Sequence, residues 1–125
     1  MRLLLDTHVV LWWLNDSAEL SAEARNAIGE PENLVYVSAV SIWEIVIKRT
    51  LGKLGIPAKW ADVLEEEPFR QLPLMWEHAL KVRELPGIHS DPFDRLLVAQ
   101  VKVEDLVLVT RDDTLLRYGI TALKT

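Results

Sequence analysis

Residues 1–13, MRLLLDTHVVLWW, decide the fold. Leu3-Leu4-Leu5 is an uninterrupted apolar run, the pattern of a strand buried on both faces of a parallel sheet. The run stops on a carboxylate, Asp6, and a helix-like apolar stretch from His8 to Leu14 follows. In open α/β sheets ligands bind beyond the carboxyl ends of the strands, so Asp6 stands where such a fold places its chemistry. A lone Asp there is better explained as the N-cap of the next helix. A functional reading needs other acids at the same edge.

The rest of the chain repeats the alternation of apolar runs and helical patterns that marks βαβ units and a mostly parallel sheet. Asn15-Asp16-Ser17 is a turn, and Ser21 opens a helix that ends near Gly29. Leu34–Val37 is a second buried strand. Ser41, with Glu44 three residues on, has the capping-box spacing. It opens a helix to about Leu51, stopped by Gly52 and Gly55. Further helices are expected over Pro57–Glu67 and Trp76–Leu85, with a short strand over Phe69–Leu74 between them. Asp91-Pro92 is an N-cap followed by proline at the first helical position, and that helix reaches Glu104. Leu106–Val109 is a strand, Thr114–Tyr118 a helical turn capped by Asp113, and Ile120–Leu123 the last strand.

Composition narrows the function classes. The 125 residues are read as one domain, 1–125, with 50% hydrophobic and 26% charged residues, an ordinary globular balance. Cysteine is absent, which excludes disulfides, thiol catalysis and thiolate metal sites. His8, His78 and His89 show no zinc spacing. Asp6 and His8 interrupt the one stretch resembling a signal peptide, and no stretch is long enough to span a membrane, so a cytoplasmic protein is expected. A net charge of −5 argues against nucleic-acid binding by charge alone. It leaves room for an acidic cleft neutralised by divalent cations.

Three further acids bear on that possibility. Asp94 has Leu97, Val98 and Val101 at i+3, i+4 and i+7, so it belongs to an apolar stripe facing the sheet. A carboxylate on such a stripe is costly unless paired or bound to metal, although the helix dipole also favours an acid in the first turn. Glu44 starts a similar stripe with Ile47 and Leu51; taken alone, the capping box and a Lys48 partner at i+4 explain it better. Asp112 follows the Leu106–Val109 strand, where a polar turn residue is also ordinary. Asp91 is explained as an N-cap that Arg95 can pair with, and His89 is a single loop histidine. If Asp6, Glu44, Asp94 and Asp112 converge, each pair at ~4 Å costs roughly 4 kcal/mol at an effective dielectric of about 20, unless cations bind. All-oxygen ligation suits Mg²⁺ or Mn²⁺. Such a site serves metal-assisted displacement at phosphorus, with ions about 3.5–4 Å apart.

Four segments in this order, LLDTHVVLWWL (4–14), SAVSIWEIVIK (38–48), DPFDRLLVAQ (91–100) and LVTRD (108–112), resemble the PIN-domain family, and within it the VapC-type toxins of toxin–antitoxin pairs. The resemblance covers essentially the whole chain, and it is the ordered set, not any one motif, that is specific. It implies a Rossmann-like α/β sandwich with sheet order 3-2-1-4-5. It also implies a Mg²⁺- or Mn²⁺-dependent endoribonuclease that cuts RNA and is held inactive by a cognate antitoxin, commonly as a homodimer. Carried over by motif, the family's acids fall on Asp6, Glu44, Asp94 and Asp112, and none is missing.

Thr7 and Thr110 flank this site, and Lys48, Arg95 and Arg111 lie near enough to meet phosphate, though each is also explained as a turn hydroxyl or an ion-pair partner. Of the five tryptophans most are expected in the core; Trp12 and Trp13 are adjacent, so one is free for a dimer or antitoxin surface. Two rival readings stay open. A haloacid-dehalogenase-like phosphatase would show Asp-x-Asp where this chain has Asp6-Thr7-His8. A non-catalytic module that binds RNA or a partner would not need a complete set of acids.

Overall fold

The computed structural model describes residues 1–125. The elements run β1 (Arg2–Leu5), α1 (Thr7–Leu14), α2 (Ala22–Gly29), β2 (Leu34–Ser38), α3 (Ala39–Thr50), α4 (Trp60–Glu65), β3 (Arg70–Leu72), α5 (Trp76–Lys81), a 3₁₀ turn over Val82–Glu84, α6 (Pro92–Glu104), β4 (Val107–Thr110), α7 (Asp113–Leu116) and β5 (Ala122–Lys124). The strands form one five-stranded sheet in the order β3-β2-β1-β4-β5. All four pairings are parallel.

β1 is the central strand, and Leu3, Leu4 and Leu5 are fully buried. Side chains alternate across a strand, so Leu3 and Leu5 face one core layer with Val9, Val10, Ala24, Ile28 and Ile45. Leu4 faces the other, with Leu97, Val98, Val101 and Leu108. α1 and α2 thus cover one face of the sheet and α6 the other. α3 packs against both α1 and α6, which seats it where the two layers meet. The registers Leu4↔Tyr36 and Leu5↔Val109 bring the carboxyl ends of β1, β2 and β4 side by side.

Several boundaries differ from the expected ones. Ser38, not Ser41, caps α3: its Oγ accepts the Val40 amide at 3.0 Å. Strand β2 passes into α3 without a loop, so the first serine takes the role, and Glu44 lies in the second turn rather than the first. The buried face of α3 is Val40, Ser41, Glu44 and Ile45, while Leu51 is exposed. Gly52, at φ +71°, ends the helix in the left-handed conformation that glycine adopts freely. The Pro57–Glu67 helix shortens to Trp60–Glu65, because Pro57 to Lys59 form a turn closed by the Trp60 amide on the Pro57 carbonyl. The Phe69–Leu74 strand shortens to Arg70–Leu72, and the helix from Trp76 tightens to 3₁₀ after Lys81. Asp112, not Asp113, caps α7, its Oδ1 accepting the Thr114 amide at 2.9 Å; Asp113 instead pairs with Lys124 at 2.7 Å. The last strand is Ala122–Lys124, set by Leu108↔Ala122 pairing.

The tryptophans depart most from expectation. Only Trp60 is buried; Trp12 and Trp13 are half-buried, and Trp43 and Trp76 are 60% and 88% exposed. The interior carries instead a polar chain. Ser38 Oγ donates to Gln100 Oε1 at 2.6 Å, Gln100 Nε2 reaches His78 Nδ1 at 3.4 Å, and His78 Nε2 meets Glu104 Oε1 at 2.8 Å. This chain fastens the start of α3 to α6 and α5.

Candidate active site at the carboxyl edge of the sheet

Each of the four predicted acids is delivered by a different element. Asp6 ends β1 and caps α1, with Oδ1 accepting the Val9 amide at 2.9 Å. Its Oδ2 accepts the Thr110 hydroxyl from the end of β4. Thr110 Oγ1 in turn accepts the Asp112 amide at 3.1 Å, so one hydroxyl joins the first of the four acids to the fourth. Asp94 lies in the first turn of α6, whose N-cap Asp91 accepts the Phe93 and Asp94 amides. Glu44 projects from the buried face of α3. Thr7 donates to Ser41 Oγ at 3.0 Å, which ties the start of α1 to that same face.

The tightest group is His89, Asp94 and Asp112, whose candidate ligand atoms all lie within 4.8 Å of one another. His89 Nε2 is 3.3 Å from Asp112 Oδ2 and 3.4 Å from Asp94 Oδ2. Asp6 and Glu44 couple to Asp94 through charge. Burial first, then Asp91, Glu44 and Asp6 push the Asp94 carboxyl up to about 7, against the opposing pull of His89. Burial also raises Asp6, against the lowering effect of its bonds from Thr110 and Val9. Lys48 is raised, chiefly by its bond to Glu44.

Glu44 gives the sharpest test of what the site can hold. It is only 3% exposed. Oε2 accepts Lys48 Nζ at 2.6 Å, but Oε1 is buried without a hydrogen-bond partner. A buried, unpaired carboxylate oxygen is costly, and here it stands near other acids that already resist ionising together. A hard divalent cation satisfies both conditions, and the donor set of carboxylate oxygens fits Mg²⁺ or Mn²⁺.

The flanking residues sort differently from expectation. Lys48 pairs with Glu44 as its spacing implied. Arg95 does not pair with Asp91; it donates to the Pro86 carbonyl at 2.8 Å and the Tyr118 hydroxyl at 3.1 Å. Arg111 pairs with Glu19 and lies over the Trp12 ring at 4.5 Å. His89 is the residue whose place in the group the sequence reading passed over. Its Nδ1 accepts the Asp91 backbone amide two residues on, a contact with no side-chain signature in the sequence. A well-formed cavity lies elsewhere. It is an apolar groove of about 760 Å³ lined by Val37, Ile42, Trp43, Trp60, Leu64 and Phe69, and it contains none of the four acids.

Comparison with known proteins agrees with this architecture. The family model for the PIN domain matches residues 3–120. Ribonuclease VapC22 of Mycobacterium tuberculosis is 33% identical over 113 residues, covering 87% of this chain and 85% of the relative. Among solved structures, VapBC2 from Rickettsia felis, bound to a promoter DNA fragment, superposes with a TM-score of 0.76 at 14% identity, covering 99% of this chain and 98% of that one. FitAcB from Neisseria gonorrhoeae superposes at 0.67 with 22% identity, covering 98% and 96%; at these identities both likenesses concern the fold. A match over nearly the whole sheet, together with a curated relative above 30% identity, means that the chain belongs to the PIN-domain family, among the relatives of the VapC ribonucleases.

Proposed function

We propose that this protein is a divalent-metal-dependent endoribonuclease, the toxin of a toxin–antitoxin pair, working in the cytoplasm through Asp6, Glu44, Asp94 and Asp112. The observation that carries this reading is the buried, unpaired Glu44 Oε1 beside acids that already repel one another. Kinship with a VapC ribonuclease supports RNA as the substrate. The toxin–antitoxin assemblies among its structural neighbours support an antitoxin as partner.

In this reading Asp6 and Asp94 hold the principal Mg²⁺ or Mn²⁺, and Glu44 and Asp112 complete its surroundings directly or through water. A bound cation supplies an activated water at neutral pH and neutralises charge that develops on the phosphate oxygens. The chain's own residues prepare that event. Thr110 and the Val9 amide fix the Asp6 carboxylate, so it is presented in one orientation. Lys48 neutralises one oxygen of Glu44 and leaves the other facing inward. The carboxylates can also accept the proton that water gives up. No cysteine is available and no serine is paired with a histidine in the site, so the water route needs no covalent intermediate.

We assign the apolar groove between α3, α4 and the β3 edge to the antitoxin, as a seat for an apolar segment. The domain span, 1–125, and a homodimer complete the reading. The deciding experiment is RNA cleavage by the purified, partner-free protein with Mg²⁺ or Mn²⁺, compared with EDTA and with Asp94→Asn. Loss of cleavage in both comparisons is expected. Cleavage that survives both overturns the metal site.

A further inference from the structure

His89 stands among the acids, and nothing in the reading above uses it. Its ring has two chemically different contacts. Nδ1 accepts the Asp91 amide at 3.0 Å. A nitrogen that accepts carries no proton, so in the neutral ring the proton sits on Nε2. Nε2 is the atom 3.3 Å from Asp112 Oδ2 and 3.4 Å from Asp94 Oδ2. The ring therefore presents a donor, not a lone pair: Nε2–H donates to Asp112 Oδ2, with Asp94 Oδ2 close beside it.

The backbone of His89 is held as firmly as its ring. Its amide donates to the Tyr118 hydroxyl at 2.9 Å, and Tyr118 is buried. Arg95 donates to the same hydroxyl, to the Pro86 carbonyl of the preceding loop and to the Val82 carbonyl of the 3₁₀ turn. Three parts of the chain (α6, the loop before it and the residues after α7) thus fix one half-buried imidazole, 21% exposed at its side chain. Coordination of a cation by Nε2 would require the proton to move to Nδ1. There it would confront the Asp91 N–H, donor against donor, and the loop anchor would be lost.

We propose that His89 is a positioning residue for this site: its Nε2–H holds the Asp112 carboxylate beside Asp94 for the cation, and it does not itself coordinate that cation. The inference rests on the metal-site reading above. Each carboxylate oxygen has two lone pairs, so the one that accepts from His89 still has capacity for a cation. In the metal-free protein the same donor softens the repulsion between the two acids.

The test uses the full-length protein labelled with ¹⁵N-histidine, followed by long-range ¹H–¹⁵N spectra during a Mg²⁺ titration. His89 is expected to remain protonated on Nε2 and unprotonated on Nδ1 from zero to saturating Mg²⁺. Loss of the Nε2 proton on saturation makes it a ligand and overturns the proposal. Variants give a second readout, Mn²⁺ affinity by calorimetry. His89→Ala is expected to weaken Mn²⁺ about tenfold or more, and His89→Gln, which keeps an N–H at similar reach, to bind within about threefold of wild type. Wild-type affinity in His89→Ala, or no recovery in His89→Gln, also overturns it. Asp94→Asn separates the two levels. If that variant binds Mn²⁺ normally, the metal site itself is misplaced and the His89 role falls with it. If it loses Mn²⁺ while the His89 variants behave as wild type, only the His89 role falls.

Discussion

Asp94 carries the clearest consequence at the scale of a single side chain. Its carboxyl is raised from 3.8 to about 7, mainly by burial. An unfolded chain releases this proton near pH 4, whereas the folded protein keeps it to about pH 7. Between those values the native state binds more protons than the unfolded one, so stability falls as pH rises. The buried Asp6, raised in the same direction, adds to the fall. We therefore expect the metal-free protein to lose stability between pH 4 and pH 7, measured by urea unfolding. Asp94→Asn removes its share of the loss and gains roughly 2–4 kcal/mol at pH 8 in EDTA. Mn²⁺ binds the ionised form, so it should stabilise wild type at pH 8 and leave Asp94→Asn unchanged. Lys48→Met is expected to act in the opposite sense. It leaves Glu44 with no partner at either oxygen and should cost about 1–3 kcal/mol in EDTA, with part of that recovered by Mn²⁺. Asp6, Asp94 and Asp112 were legible as candidate acids because each sits at a strand end or helix start in the sequence. His89 was not, because a loop histidine gains meaning only when Asp94 and Asp112, five and 23 positions away, are placed beside it.

At the scale of elements, α6 was readable to the residue, since Asp91-Pro92 sets its start and Leu97, Val98 and Val101 its buried face. α3 was misjudged at its start. Ser38 and Ser41 both fit a cap, and local sequence cannot say that β2 runs straight into the helix without a loop. The difference is measurable. Ser38→Ala removes the cap and leaves Gln100 Oε1 without its donor, an expected loss of about 1–3 kcal/mol in chemical denaturation. Asp113→Ala, which removes an exposed ion pair and no cap, is expected to stay within about 0.5 kcal/mol of wild type. The later start of β5, by two residues, has a related cause. Its register is chosen by β4, a tertiary partner, and not by its own apolar run.

At the scale of the whole molecule, the parallel sheet was legible from pattern, its strand order only from the family resemblance, and the surface was not. Alternating apolar runs and helices specify a parallel sheet, but they do not say which of five tryptophans is covered. Trp60 is buried under α1, while Trp43 lines the apolar groove and remains 60% exposed. If the groove receives the antitoxin, Trp43→Glu should weaken that complex by at least about 1.4 kcal/mol, tenfold in Kd, and leave RNA cleavage by the free protein unchanged, because no site acid lines the groove. Equal antitoxin affinity in Trp43→Glu would move the partner to another face.

The Thr110–Asp6 bond spans 104 positions of chain, and it closes only when β4 slides in beside β1. Parallel pairing over such a distance is slow to form, since the loop must close before the contacts repay it. A polypeptide emerging from the ribosome therefore presents Asp6 early and its companions late. The proposed nuclease stays unarmed until β4 has been made and paired, which would leave the proposed antitoxin time to be present before the first cut.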